Sequence, residues 1–191
     1  TTTAIVARNI LENEPGSSVI HNLICSRSVP EVIEKYGGTA IRSMVGHSYI
    51  KQMMAETEAA FGGEHSGHYY FRDNYRADSG LIAALIVLQE MSVKKIPLSQ
   101  LRKECEKYPS TGEINFRVKS PDLAIERIGK IFSGYDFDLL DGLTVSTQEW
   151  WFNIRPSNTE PLLRLNLEAE TLEAMESQLA VLISHLEEFV E

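Results

Sequence analysis

The sequence predicts an α/β protein in two parts: a layered unit of strands and helices over residues 1–109, then a small α+β unit over residues 110–191. Three observations carry this. Short apolar runs alternate with helical patterns across the first hundred residues, whereas beyond Pro109–Gly112 alternating strands are followed by one long amphipathic helix. The charge divides at the same place, with 12 Lys+Arg against 12 Asp+Glu in residues 1–110 and 6 against 15 in residues 111–191.

Element by element, Val6, Ala7, Ile10 and Leu11 recur at helical spacing until Pro15 and Gly16 stop them. Val19 to Cys25 reads as a strand buried on both faces, as in a parallel sheet. Pro30 opens a short helix carrying Val32, Ile33 and Tyr36, which Gly37 and Gly38 close. Thr39 to Val45 is the next strand, and after Gly46-His47-Ser48 comes a helix with Ile50, Met53 and Met54. Ala59–Phe61 and Tyr69–Phe71 are short strands around a polar loop, and Asp78-Ser79 can cap the apolar helix from Gly80. A helix opened by Pro97 ends near Tyr108 and Pro109, where the boundary between the units falls, with a hinge expected at Pro109–Gly112. Ile114, Phe116 and Val118 then alternate as a half-buried strand, Ser120-Pro121 starts a helix, and Asp141-Gly142 marks a hairpin. Trp150–Ile154 and Leu162–Leu167 form a strand pair, and Leu172, Met175, Leu179, Leu182, Leu186 and Phe189 share one face of the last helix.

Composition excludes several classes. With 191 residues, 43% apolar and 24% charged, the chain can bury a sizeable core. The longest apolar run, Leu81 to Leu88, is far short of a membrane helix, and no signal peptide is evident, so a cytoplasmic protein is expected. The net charge of −9 falls in the C-terminal part without a basic stripe, which argues against nucleic acid. Cys25 and Cys105 lie far apart outside any metal-ligand pattern and read as reduced thiols. A chain opening Thr1-Thr2-Thr3 without Met reads as a piece of a longer protein.

Two polar loops carry the chemistry. In Gly62-Gly63-Glu64-His65-Ser66-Gly67-His68 the glycines would let backbone approach a ligand. Glu64 can accept two sugar hydroxyls, and Ser66 and His68 would join it on one face if the segment were a strand. The competing reading is a polar hairpin tip with no ligand. In Arg155-Pro156-Ser157-Asn158-Thr159-Glu160-Pro161 a guanidinium fork that matches phosphate sits beside Ser157, Asn158 and Thr159, between two prolines that restrict the loop. Here the alternative is a turn whose polar side chains bond their own backbone. His47 stands at a strand end, where α/β folds place ligand groups, with Lys51 one helical turn on. Arg27 and Arg164 are further cationic candidates, while Arg72, Arg76 and Asp78 read as surface ion pairs. No segment looks like a phosphoryl-carrying serine loop or a clustered-aspartate metal loop.

These loops, with Val45-Gly46-His47-Ser48 and Tyr75-Arg76-Ala77-Asp78-Ser79-Gly80, resemble those of the bacterial phosphohexomutases, the phosphomannomutase and phosphoglucomutase branch, across nearly the whole chain. The run His21 to Pro30 is similar to actinobacterial members. The resemblance implies that residues 1–109 are domain three, a three-layer α/β/α mixed sheet, and that residues 110–191 are domain four, a TATA-binding-protein-like antiparallel sheet with helices. It further implies interconversion of mannose or glucose 6-phosphate and 1-phosphate through a bisphosphate. Glu64, Ser66 and His68 would read the sugar, Arg155, Ser157, Asn158 and Thr159 would hold the non-reacting phosphate, and His47 would sit near the reacting end. The phosphoserine and the Mg²⁺ site belong in that family to domains one and two, against which these two would pack, so no metal is expected here and these residues alone should be inactive. One departure is Leu23-Ile24-Cys25-Ser26, where many members carry a Lys or Arg, leaving Arg27 as the nearest base. The reading from another class is a stand-alone, non-catalytic sugar-phosphate-binding module.

Overall fold

The computed structural model describes residues 1–157, 160 and 162–190. The chain divides into two compact units, Thr1–Lys107 and Tyr108–Glu191. The division falls two residues before the expected boundary, because the Pro109 carbonyl already accepts from Ala169 N–H at 3.1 Å and Ser110 is paired with Glu168. Residues 110–112 therefore belong to a strand of the second sheet, not to a free linker.

In the first unit the order is α1 (Thr2–Asn13), β1 (Ser18–Asn22), α2 (Ser28–Lys35), β2 (Thr39–Ser43), α3 (His47–Thr57), β3 (Phe61–Gly63), β4 (Tyr69–Phe71), β5 (Ala77–Asp78), α4 (Gly80–Lys94) and α5 (Leu98–Lys103). The sheet runs β2-β1-β3-β4-β5, with β1 parallel to both neighbours and the β3–β4 and β4–β5 pairs antiparallel. Alternate strand residues face opposite layers. Val19, Phe61 and Phe71 pack with α1, α2, Ala83 of α4 and Leu101 of α5, while Ile20 and Tyr70 pack with Ile50 and Met54 of α3 on the other face. The crossovers through α2 and α3 run in opposite directions along the sheet, so right-handed connections require these helices on opposite faces. The result is a three-layer α/β/α arrangement around a mixed sheet.

Several bounds differ from the sequence expectation. Helix α2 begins at Ser28, so Pro30 lies within its first turn, where a missing N–H costs no helical bond. Strand β1 ends at Asn22, and β3 starts at Phe61, two residues later than expected. Ser79 caps α4, accepting from Ile82 N–H at 3.3 Å.

The second unit comprises β6 (Ser110–Arg117), α6 (Pro121–Ile131), β7 (Asp136–Asp138), β8 (Leu143–Ser146), β9 (Trp150–Pro156), β10 (Leu162–Ala169) and α7 (Leu172–Leu186), with the antiparallel order β6-β10-β9-β8-β7. Val145, Phe152, Ile154, Leu163, Leu165 and Leu167 pack on one face with Ala124 and Ile128 of α6 and Leu182 and Leu186 of α7. Leu172, expected in the α7 stripe, is exposed. It stands next to the cap residue Thr171, whose hydroxyl accepts from Ala174 N–H at 3.1 Å, so the packed face begins one turn later at Met175.

Candidate functional site

In the first unit the loops leaving the carboxyl ends of β1, β2 and β3 are tied to one another. Asn22, fully buried at the end of β1, accepts at Oδ1 from His65 N–H at 3.3 Å and from the Cys25 thiol at 3.1 Å. Glu64, immediately after β3, accepts at Oε2 from Gly46 N–H at 3.2 Å and at Oε1 from the Tyr70 hydroxyl at 2.7 Å. Carboxyl strand ends are where open α/β sheets offer ligand-binding groups.

The strand-like alternation expected for Glu64, Ser66 and His68 does not occur. Glu64 N–H donates to the His68 carbonyl at 2.9 Å and Gly67 N–H donates to the Glu64 carbonyl at 3.2 Å, closing the segment into a turn with Gly67 at φ +90°. Glu64 is consequently buried, with 3% of its surface exposed, while His65, Ser66 and His68 stand in solvent. The two glycines also serve another purpose than the expected ligand approach. A Cβ on Gly62 would lie 2.6 Å from Ile50 Cγ2, and one on Gly63 would run into Thr3, so they let α3 and α1 close onto β3.

His68 Nδ1 pairs with Asp78 Oδ2 at 2.6 Å, and Asp78 Oδ1 accepts Tyr69 N–H at 2.8 Å. The bond to Asp78 chiefly raises the His68 pKa, against the opposing effect of desolvation. For Asp78, desolvation pushes upward but is outweighed by His68, the Tyr69 N–H and the charge of Lys51, leaving the carboxyl below its ordinary value. Lys51 thus acts on the His68–Asp78 pair. His47 and Lys51 are exposed, His47 as the first residue of α3, and Arg27 is half-buried at the N-cap of α2. Arg72 pairs with Glu14 and Asp73, and Arg76 with Glu58.

In the second unit the sheet face away from the helices carries a polar network. Directly opposed residues of antiparallel strands share a face, and β9 and β10 place Arg155 opposite Arg164 and Asn153 opposite Asn166, with Glu113 of β6 opposite Asn166 on its other side. The Arg155 guanidinium, 5% exposed, donates to Glu113 Oε2 at 2.6 Å, to Asn166 Oδ1 at 2.9 Å and to Asn153 Oδ1 at 3.2 Å. Burial lowers the Arg155 pKa, only partly offset by Glu113. Arg164 is more open, at 29%; it reaches Glu113 at 3.4 Å and donates to the Ser157 hydroxyl at 3.2 Å. Ser157 N–H donates to the Leu162 carbonyl at 2.8 Å, narrowing the mouth of the loop. Asn158 and Thr159 lie outside the described residues. Among the described residues no group of three or more His, Cys, Asp or Glu could hold a metal ion, and no helix is long and apolar enough to cross a membrane.

Sequence reading missed Tyr70, Asn22, Glu113, Asn153 and Asn166. Glu113 does stand on the polar parity of its strand, alternating with Ile114 and Phe116, but its position beside two arginines depends on a register with β10 that only the folded sheet supplies.

Residues 1–108 match the family model "Phosphoglucomutase/phosphomannomutase, alpha/beta/alpha domain III", and residues 113–184 match "Phosphoglucomutase/phosphomannomutase, C-terminal domain". A phosphomannomutase of Methanocaldococcus jannaschii is 47% identical over 92% of this chain and 39% of its own length. A phosphomannomutase of Escherichia coli K12 is 37% identical over 96% of this chain and 41% of its own. The crystal structure of a phosphoglucomutase/phosphomannomutase family protein from Burkholderia thailandensis superposes with a TM-score of 0.84 at 27% identity, over 98% of this chain and 41% of that one. The chain therefore spans about two-fifths of the length of these relatives.

Proposed function

Because the chain belongs to the phosphoglucomutase/phosphomannomutase family, we propose that it supplies sugar and phosphate recognition to a phosphohexomutase that interconverts hexose 6-phosphates and hexose 1-phosphates through a bisphosphate. In this reading Glu64 accepts sugar hydroxyls, with Ser66 and His68 as exposed partners. Arg155 and Arg164 with Ser157, Asn158 and Thr159 hold the phosphate that is not reacting, and His47 and Lys51 lie toward the reacting end, with Arg27 as a further cation. The phosphoserine and Mg²⁺ would come from the family's first two domains, packed against these units in a cytoplasmic enzyme. Mg²⁺ there would neutralise charge on the transferring phosphoryl group. What these residues contribute is binding and orientation, the larger part of catalysis in phosphoryl transfer.

The observation that carries the reading is the opposed pair Arg155–Arg164 beneath the Ser157 loop. Two like charges directly across a ladder repel. Glu113 offsets this from one side, and a phosphate at the loop would offset it from the other. Such a site would accept either phosphate of a bisphosphate in turn, since two guanidinium groups and a hydroxyl offer donors without one fixed socket.

Isothermal titration of the 191-residue chain with mannose 1-phosphate, glucose 6-phosphate and inorganic phosphate tests this. All three should bind; Arg164→Ala should weaken all of them, and Glu64→Ala only the two sugars. Assayed alone with Mg²⁺ and glucose 1,6-bisphosphate, the chain should show no turnover. Absence of binding would overturn the recognition role, and turnover would overturn the division of labour.

A further inference from the structure

We infer that Tyr70 is a positioning residue for Glu64, and that the Tyr70–Glu64–Gly46 chain locks the sugar-reading loop to the start of α3. This rests on the proposed role of Glu64 and adds to it a residue that carries no role there. Tyr70 lies on β4, fully buried against Ile20, Ile50 and Met54 beneath α3. Its ring has the environment of any core aromatic, but its hydroxyl reaches Glu64 Oε1 at 2.7 Å inside the fold. A buried phenol needs an acceptor, and a buried carboxylate needs donors; each here is the other's answer. Glu64 Oε2 takes its donor from Gly46 N–H at 3.2 Å. Gly46 is the N-cap of α3 at φ +136°, a conformation that favours glycine, and the peptide it shares with His47 opens the helix.

The carboxylate is thus held from both sides, by a side chain of β4 and by the backbone preceding His47. Negative charge at that place is favoured by the helix N-terminus as well. Each carboxylate oxygen retains a further lone pair, so Glu64 can still accept a sugar hydroxyl in a direction that the two donors fix. Sugar recognition and the position of His47 are then coupled through one side chain, so a sugar that pulls on Glu64 also pulls on the start of α3.

Tyr70→Phe keeps the ring that fills the core and removes only the hydroxyl. We expect it to weaken mannose 1-phosphate binding by the 191-residue chain about 3- to 10-fold while leaving inorganic phosphate affinity unchanged. The Gly46 amide resonance should shift in Tyr70→Phe relative to wild type. In a Glu64→Ala background, which leaves the Tyr70 hydroxyl no partner at that place, Tyr70→Phe should move neither that resonance nor the affinity further. A merely structural loss would instead lower the melting temperature of the first unit and persist in the Glu64→Ala background. An unshifted Gly46 amide with unchanged mannose 1-phosphate affinity, or additive effects in the double variant, would overturn the inference. If wild type binds no hexose phosphate at all, the proposed function fails, while the Gly46 resonance still decides whether Tyr70 aims Glu64.

Discussion

Arg155, proposed above to hold phosphate, also has a structural task that sequence reading did not give it. Its guanidinium is committed to Glu113, Asn166 and Asn153 inside the sheet face, so removing it should do more than lose a phosphate contact. Arg155→Ala leaves the Glu113 carboxylate to Arg164, at 3.4 Å, and takes a donor from two buried amide oxygens; with Glu113 itself 28% exposed, a cost of about 2–3 kcal/mol is expected, somewhat below that of breaking a fully buried pair. Urea denaturation should show that loss alongside weaker phosphate binding, whereas Arg164→Ala, at a more open site, should weaken binding with stability nearly intact. Equal stability of the two variants would contradict this assignment. A second residue-scale effect belongs to His21, buried in β1 with Arg42 opposite it. Desolvation, reinforced by Arg42 and opposed by the Asn22 carbonyl, lowers its pKa to about 4. A folded value below the unfolded one favours the neutral form, so this contribution is full above about pH 6.5 and is lost as pH falls toward 4, by about 3 kcal/mol in all. His21→Phe should flatten the stability profile across that window; an unchanged profile would show that other groups dominate acid unfolding.

At the scale of elements, the two loops were legible as polar segments between strands but their internal geometry was not. Glycines and polar side chains between apolar strands mark a loop in any sequence. Whether residues 64–68 run as a strand or turn back depends on the pairing of β3 with β4, a long-range choice that sends Glu64 inward and Ser66 and His68 out. Likewise Gly62 and Gly63 read as open approach, yet the neighbours that fill their space, Ile50 and Thr3, come from other elements, α3 and α1, which only the fold brings against β3. Asp141-Gly142 was legible as a turn, and Gly142 does take φ +69°. Its second constraint was hidden: a Cβ there would collide with the Ile154 carbonyl and lie 2.7 Å from Arg155 Cα. Gly142→Ala should therefore cost roughly 2–4 kcal/mol, beyond the penalty of the dihedral alone, and should weaken phosphate binding because the strand that yields carries Arg155. Retained stability with full phosphate affinity would show that the hairpin can relax without moving β9.

For the whole molecule, the change of pattern near residue 109 was readable because each unit closes its own core, one around Val19, Phe61 and Ile50, the other around Phe152, Leu165 and Leu182. Residues 1–107 and 108–191 expressed separately should each fold cooperatively, as units of this size with a continuous core do. They should also answer to salt differently. Residues 1–107 carry 12 Lys+Arg and 12 Asp+Glu, whereas residues 108–191 carry 6 and 15, the entire net charge of −9. Self-repulsion of that size opposes a compact state, and salt screens it over about 10 Å at 0.1 M. Raising the ionic strength from about 0.02 to 0.2 M should lift the Tm of the C-terminal unit by roughly 2–4 °C, with a smaller shift for the balanced N-terminal unit. Differential scanning calorimetry of the two pieces would decide it. An equal response would mean that the acidic residues are already neutralised by local pairing, and a C-terminal piece without a cooperative transition would mean that its core does not suffice alone.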